Sequence, residues 1–85
     1  MALVVLPSLL AREAGGRNRF EIEAATLGDA LRALPIADLI LDEHGALRPL
    51  VNVYVDGIDA RDRDGLATGL GPAETVQIIA AVAGG

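Results

Sequence analysis

Residues 50–60 read LVNVYVDGIDA, and this stretch decides the fold. Val51, Val53 and Val55 alternate with Asn52 and Tyr54, the period of two that marks a half-buried strand. Asp56-Gly57 is a favoured two-residue hairpin turn, because the matching turn type needs positive φ at both positions. Ile58 and Ala60 continue as a short return strand, followed by Arg61, Asp62, Arg63 and Asp64. A short strand with charges beyond it suits a sheet edge, where unpaired backbone must not recruit other chains.

Working outward, Ala2 to Leu6 is uniformly apolar and Val-rich, as expected of a central strand. REAGGRN (residues 12–18), with Gly15-Gly16, supplies turn residues. RFEIEA then places Phe20 and Ile22 on one face and Glu21 and Glu23 on the other, predicting a hairpin with the first strand. Thr26 reads as a helix N-cap, with Asp29 placed to meet the free amides of the first turn. Leu27, Ala30, Leu31 and Leu34 recur at helical spacing, and Pro35 marks the helix end. IADLILDEHG (residues 36–45) predicts a further helical turn closed by Gly45. LATGLGPAE (residues 66–74) reads as a loop, and TVQIIAAV (residues 75–82) as the last strand.

Two hairpins, one main helix and a final apolar strand pack economically in one way. A mixed sheet of about five strands carries the helix across one face, and the last strand lies in the middle beside the first. This is an α+β fold of the β-grasp, or ubiquitin-like, type. Residues 1–81 are expected to form the domain and residues 82–85 a flexible di-glycine tail.

Composition narrows the chemistry. Eighty-five residues make one small domain whose core must be aliphatic, since Phe20 and Tyr54 are the only aromatics. There is no Cys, hence no disulfide, thiol nucleophile or thiolate metal site, and His44 is the one histidine. All seven basic residues are Arg, so no lysine is present for a Schiff base or a Walker-type phosphate contact. A net charge of −5 disfavours nucleic acid and favours a partner protein with a basic docking surface. The apolar start has no preceding positive charge and is broken by Pro7, unlike a signal peptide. No stretch approaches the roughly 18 apolar residues of a membrane span, and a cytoplasmic protein, monomeric when alone, is expected.

Several motifs fail on inspection. DARDRDG resembles a calcium loop, but the register that fits Asp62, Asp64 and Gly65 puts Ala60 first and Gly71 last, where acidic ligands are required. GLGPAE (residues 69–74) lacks the third glycine of a dinucleotide fingerprint. His44, beside Asp42 and Glu43, reads as an exposed loop residue, and Ser8 has no base nearby in sequence. Glu21 and Glu23 read as a solvent face. With little volume for a substrate pocket, the chain is not expected to be an enzyme, and no cofactor or metal is expected on it.

The end of the chain, AVAGG (residues 81–85), survives this weeding. Frayed ends of no consequence are common. Here, however, the residues project from a strand held in the sheet, and Val82 to Gly85 would reach on the order of 13 Å at about 3.3 Å per residue. Ala83, Gly84 and Gly85 are slim enough to thread a narrow channel, and glycine adopts backbone angles closed to other residues. The Gly85 carboxylate is a poor electrophile. A partner would have to convert it to an acyl-adenylate with ATP before sulfur could attack, leaving a thiocarboxylate.

At these residues the chain resembles the small sulfur-carrier proteins of the ThiS, MoaD and CysO type. The resemblance is densest in LVNVYVDG and GLATGLGPAETVQIIAAVAGG, and includes Asn52, the Gly65-Leu66-x-Thr68 step and the di-glycine end. The first half matches in pattern, chiefly through TLGDAL (residues 26–31). The tail and the GLAT step lean toward the CysO type, from which the chain departs in a shorter segment before the third strand. The resemblance implies an activating enzyme of the ubiquitin-activating (E1-like) kind, using ATP and usually zinc, that adenylates Gly85 and installs sulfur. It also implies a biosynthetic enzyme that accepts the sulfur, for cysteine, thiazole, dithiolene or other sulfur-containing products.

If the helix covers the valine face, Leu50, Tyr54 and Ile79 are left as an apolar patch near the tail's root, a candidate docking surface. Scattered surface apolars are the competing reading. Three functions stay open: a sulfur carrier, a ubiquitin-like modifier forming isopeptide bonds, and a β-grasp binding subunit that owes nothing to its last residues.

Overall fold

In the computed structural model, which describes residues 1–71 and 74–80, five strands form one sheet. They are β1 (Ala2–Val5), β2 (Arg19–Ile22), β3 (Val51–Val55), β4 (Ile58–Asp59) and β5 (Thr75–Ala80), in the order β2-β1-β5-β3-β4. β5 is central, parallel to β1 and antiparallel to β3, with Val4 opposite Val76 and Val53 opposite Ile78. Val4, Val53, Val55, Val76 and Ile78 are buried because they all point to the face that the helices cover. This is the β-grasp arrangement expected from the sequence.

The Asp56-Gly57 turn forms as expected, with φ of 50° and 83°. Asp56 also ties the turn to the central strand. Its amide donates to the Thr75 carbonyl at 2.9 Å, and its carboxylate accepts the Thr75 amide at 2.8 Å. The return strand is shorter than the sequence reading: β4 ends at Asp59, and Ala60–Asp62 turns into a single 3-10 turn. The Asp59 carboxylate causes this by accepting the Arg61 amide at 2.9 Å.

The connection between β1 and β2 differs from the simple hairpin expected. Ser8–Glu13 forms a short helix, α1, with Pro7 at its N-cap and Leu10 and Ala11 buried. Gly15 and Gly16, at φ of 75° and 90°, end this helix instead of making a hairpin turn, and the Gly16 amide donates to the Ala11 carbonyl at 2.8 Å. The glycine pair was visible in the sequence. The helix was not, because its six residues carry too little periodicity.

The main helix, α2, spans Leu27–Arg32. Thr26 caps it as expected, its hydroxyl accepting the Asp29 amide at 3.3 Å. Leu27, Ala30 and Leu31 are fully buried, and Leu34 packs just beyond the helix end. Gly28 lets α2 approach the loop after β4: a Cβ there would meet the Leu66 carbonyl oxygen at 3.2 Å. The Leu27 amide donates to the Thr68 carbonyl at 2.9 Å across the same contact. The helical turn expected within residues 36–45 is α3, Ala37–Ile40, and Gly45 closes the segment at φ 81°. Ile36, Ile40 and Leu41 belong to the core, so this segment helps to cover the sheet.

Candidate functional site: the open sheet face and the root of the tail

Among the described residues, no helix covers the opposite face of the sheet. Across it the register aligns Arg19, Val5, Gln77, Tyr54 and Asp59, one residue from each strand. One step toward the end of β5, Asn52 stands opposite Ile79. Ile79 is 43% exposed and Tyr54 is half-buried. The two lie diagonally across the β3–β5 pair, a spacing that long side chains bridge.

Leu50, 52% exposed, precedes β3 at the end of the sheet. With Leu39, Arg48, Pro49, Val51 and Ala80 it lines a groove of about 380 Å³. Ala80, the last described residue of β5, pairs with Val51, so this groove lies at that end of the β3–β5 pair. The three residues picked from the sequence thus fall in two places along the β3–β5 pair. Tyr54 and Ile79 stand on the open face, and Leu50 stands at the strand end. Ala83, Gly84 and Gly85 lie outside the described residues.

Sequence reasoning missed a polar clasp on this surface. The Arg61 guanidinium donates to the Asn52 carboxamide oxygen and, at 3.4 Å, to the Asp59 carboxylate. Asn52 therefore separates Leu50 from Tyr54 along β3 with a side chain already engaged. The Arg61 guanidinium, coming from the β4 side of β3, is held between Asn52 and Asp59. Asn52 stood out in the sequence, but its partner nine residues away did not. The turn that brings Arg61 back over β3 depends on the Asp59 cap described above.

Behind the sheet, Thr68 is 1% exposed and its hydroxyl is doubly engaged. It donates to the Gly65 carbonyl at 2.6 Å and accepts the Asp64 amide at 3.2 Å. The Gly65-Leu66-x-Thr68 step is thus a 3-10 turn, Gly65–Ala67, locked by its own threonine, with Gly65 at φ 57°. Further on, the Glu74 carboxylate accepts the Gly71 amide at 3.0 Å and lies 3.6 Å from Arg63, steadying the approach to β5.

Two carboxylates elsewhere are held below the ordinary range. Asp29 is lowered chiefly by its hydrogen bond from Arg32 and also by Thr26. Asp42 is lowered by the amides of Ala46 and His44, which donate to it at 3.0 and 2.8 Å. Asp29 is exposed and Asp42 half-buried, and both organise turns instead of a reaction centre. His44 lies 4.0 Å from Glu43 with its side chain in solvent. Among the described residues, no three His, Cys, Asp or Glu side chains gather as a metal site, and no helix is long and apolar enough to cross a membrane.

Comparison with known proteins gives this surface its context. The sulfur carrier protein CysO of Mycobacterium tuberculosis is 34% identical over 89 residues, spanning 96% of both chains. Its crystal structure superposes with a TM-score of 0.86 at 30% identity, covering 96% of this chain and all of that one. A chain of the Amycolatopsis orientalis BexX/CysO complex matches over 100% of both chains, with a TM-score of 0.86 and 28% identity. The small archaeal modifier protein 1 of Methanosarcina acetivorans has a TM-score of 0.81 at 26% identity, over 99% of this chain and 95% of that one. The sequence pattern of the ThiS family matches residues 5–85, through the terminal glycines, and the chain belongs to that family.

Proposed function

We propose that this chain is a sulfur carrier whose working group is the Gly85 carboxylate. The observation that carries the reading is the family match through Gly85, joined to similarity with CysO over 96% of the chain. The fold supports it physically. β5 is held between β1 and β3 as far as Gln77 and by β3 alone to Ala80, so the residues after it start from a strand fixed in the sheet. Ala83, Gly84 and Gly85 enter the active site of an E1-like partner. There the carboxylate attacks the α-phosphorus of ATP, pyrophosphate leaves, and an acyl-adenylate forms. A sulfide-equivalent nucleophile adds to the carbonyl, AMP departs, and the terminus becomes a thiocarboxylate. On a biosynthetic enzyme the thiocarboxylate sulfur displaces a leaving group from an activated acceptor, and water hydrolyses the resulting thioester, leaving sulfur on the acceptor and returning the carboxylate. The chain is a carried co-substrate in this cycle, and its partners supply ATP chemistry and zinc.

Partner recognition falls to Leu50, Tyr54 and Ile79 around the tail's root. Chains of this family do enter complexes, as the BexX/CysO structure records for its own proteins. The decisive experiment is the intact mass after incubation with the activating enzyme, ATP and a sulfide source. Exchange of one oxygen for sulfur in the C-terminal peptide, absent when Gly85 is deleted, supports the reading. No exchange with activating enzymes that load related carriers overturns it in favour of a binding subunit. Similarity to an archaeal modifier protein favours one second reading, a protein modifier. A C-terminal isopeptide bond to a target lysine, in place of sulfur, would identify that role.

A further inference from the structure

One edge of the sheet is guarded and the other is open. β4 is two residues long, and the chain turns away at once into Ala60–Asp62. β2 is four residues long, has no proline, and is paired only with β1 among the described residues. The Leu6 amide donates to the Asn18 carbonyl at 2.8 Å, so Asn18, Phe20 and Ile22 turn their backbone groups toward β1. The alternate residues, Arg19 and Glu21, turn theirs outward, and both side chains are exposed. Such an edge is a template for another strand.

We propose that the occupant is a second copy of this chain, joined β2 to β2 in antiparallel register about a two-fold axis at Phe20. The charges select this partner. In that register Arg19 faces Glu21 of the second copy, and Glu21 faces Arg19 of the second copy. Each of these pairs exchanges both outward backbone hydrogen bonds. Beyond the ends of β2, continuing the register would bring Arg17, whose guanidinium sits over the Phe20 ring of its own chain at 4.5 Å, toward Glu23 of the second copy. RNRFEIE (residues 17–23) is therefore self-complementary in charge when read against itself in reverse. A slip by one residue to either side breaks the ion pairing and sets outward backbone groups against inward ones. The product is a continuous ten-stranded sheet with two-fold symmetry. The tail's root, on β5 and β3, lies on the far side of β1 from the junction and stays free.

The association is weak. The contact is one short strand edge, and each copy carries a net charge of −5, although repulsion beyond about 8 Å is screened at physiological salt. The monomer expected from the sequence is then the dilute form. This inference does not rest on the sulfur-carrier reading, and its test needs no activating enzyme.

The test is sedimentation equilibrium of the full chain at physiological ionic strength, up to about 1 mM, where small interfaces associate. Two single variants, Arg19→Glu and Glu21→Arg, each place like charges opposite one another. Each is expected to weaken self-association about tenfold or more. The double variant Arg19→Glu/Glu21→Arg restores opposite pairing and dimerises like the parent. An equimolar mixture of the two single variants forms a heterodimer that neither forms alone. Amide NMR signals of Arg19 and Glu21 should shift with concentration, and those of the β4 edge should not. A chain that stays monomeric throughout overturns the proposal. So does a dimer indifferent to both charge reversals, or one whose shifts map to β4.

Discussion

Asn52 on β3 stands opposite Ile79 on β5, and the Asn52 side chain is held by Arg61 while Ile79 is left exposed. The exposed isoleucine therefore stands opposite a fixed polar group, one residue before Ala80, the last described residue of β5. An apolar side chain presented this way is suited to anchor a partner, because little of its neighbourhood has to be ordered on binding.

Ile79→Asp is accordingly expected to lower kcat/KM for loading by the activating enzyme about tenfold or more, through KM with kcat nearly unchanged. Pyrophosphate release against carrier concentration reads this directly. Equal loss in kcat alone would mean that Ile79 acts on the chemistry and not on docking.

Thr68→Val replaces a buried hydroxyl by a methyl group of similar size. The Asp64 amide loses its partner, and the Gly65 carbonyl loses one of two and keeps the Thr68 amide at 3.1 Å, in a turn whose Thr68 carbonyl also receives the Leu27 amide. A loss of about 1–3 kcal/mol of stability is expected. It should appear as a lower denaturant midpoint with unchanged m, since the exposed surface is the same. A neutral result would mean that water replaces the hydroxyl at no cost.

Much of this architecture was legible in the chain because its signals are local. Val51, Val53 and Val55 alternate, Asp56-Gly57 has the chemistry of its turn, and Thr26 caps the helix three residues before Asp29. The parts that stayed hidden depend on contacts distant in sequence or on segments too short to show a period. α1 has six residues, and its burial of Leu10 is decided by the sheet it meets. The clasp of Arg61 on Asn52 exists because Asp59 bends the chain back over β3. Gly28 reads as a poor helix residue until the Leu66 carbonyl is placed beside it. At the candidate site, Leu50, Tyr54 and Ile79 were picked by strand alternation alone. Alternation assigns a face, and it carries no information about Leu50 lining a groove at the strand end.

The segment between α2 and β3 tests how far the core extends. Ile40 is fully buried, in a four-residue helix that sequence patterning supports only weakly. Ile40→Ala should cost about 2–5 kcal/mol, as removal of a large core side chain does. Small domains hold about 5–15 kcal/mol in total, so the variant should have a markedly lower thermal midpoint. Loss below about 1 kcal/mol would show that α3 lies loosely on the sheet, and would leave its core role unsupported.

Stability should also fall on the acid side, and the sign follows from Asp42 and Asp29. Both have folded-state pKa values below the ordinary carboxylate range, Asp42 through the amides of Ala46 and His44, Asp29 through Arg32 and Thr26. A lowered folded-state pKa means that the unfolded chain binds the proton more tightly, so the contribution is complete above the unfolded value and is lost as pH falls through the folded one. The window therefore opens near pH 5 and extends below about pH 4. Denaturant midpoints between neutral pH and about pH 3 should decline across it, and Asp42→Asn should flatten the decline because the amide oxygen accepts the same two hydrogen bonds without titrating. An Asp42→Asn curve parallel to the parent's would place the acid sensitivity elsewhere, with Asp29 and its Arg32 pair as the next group to vary.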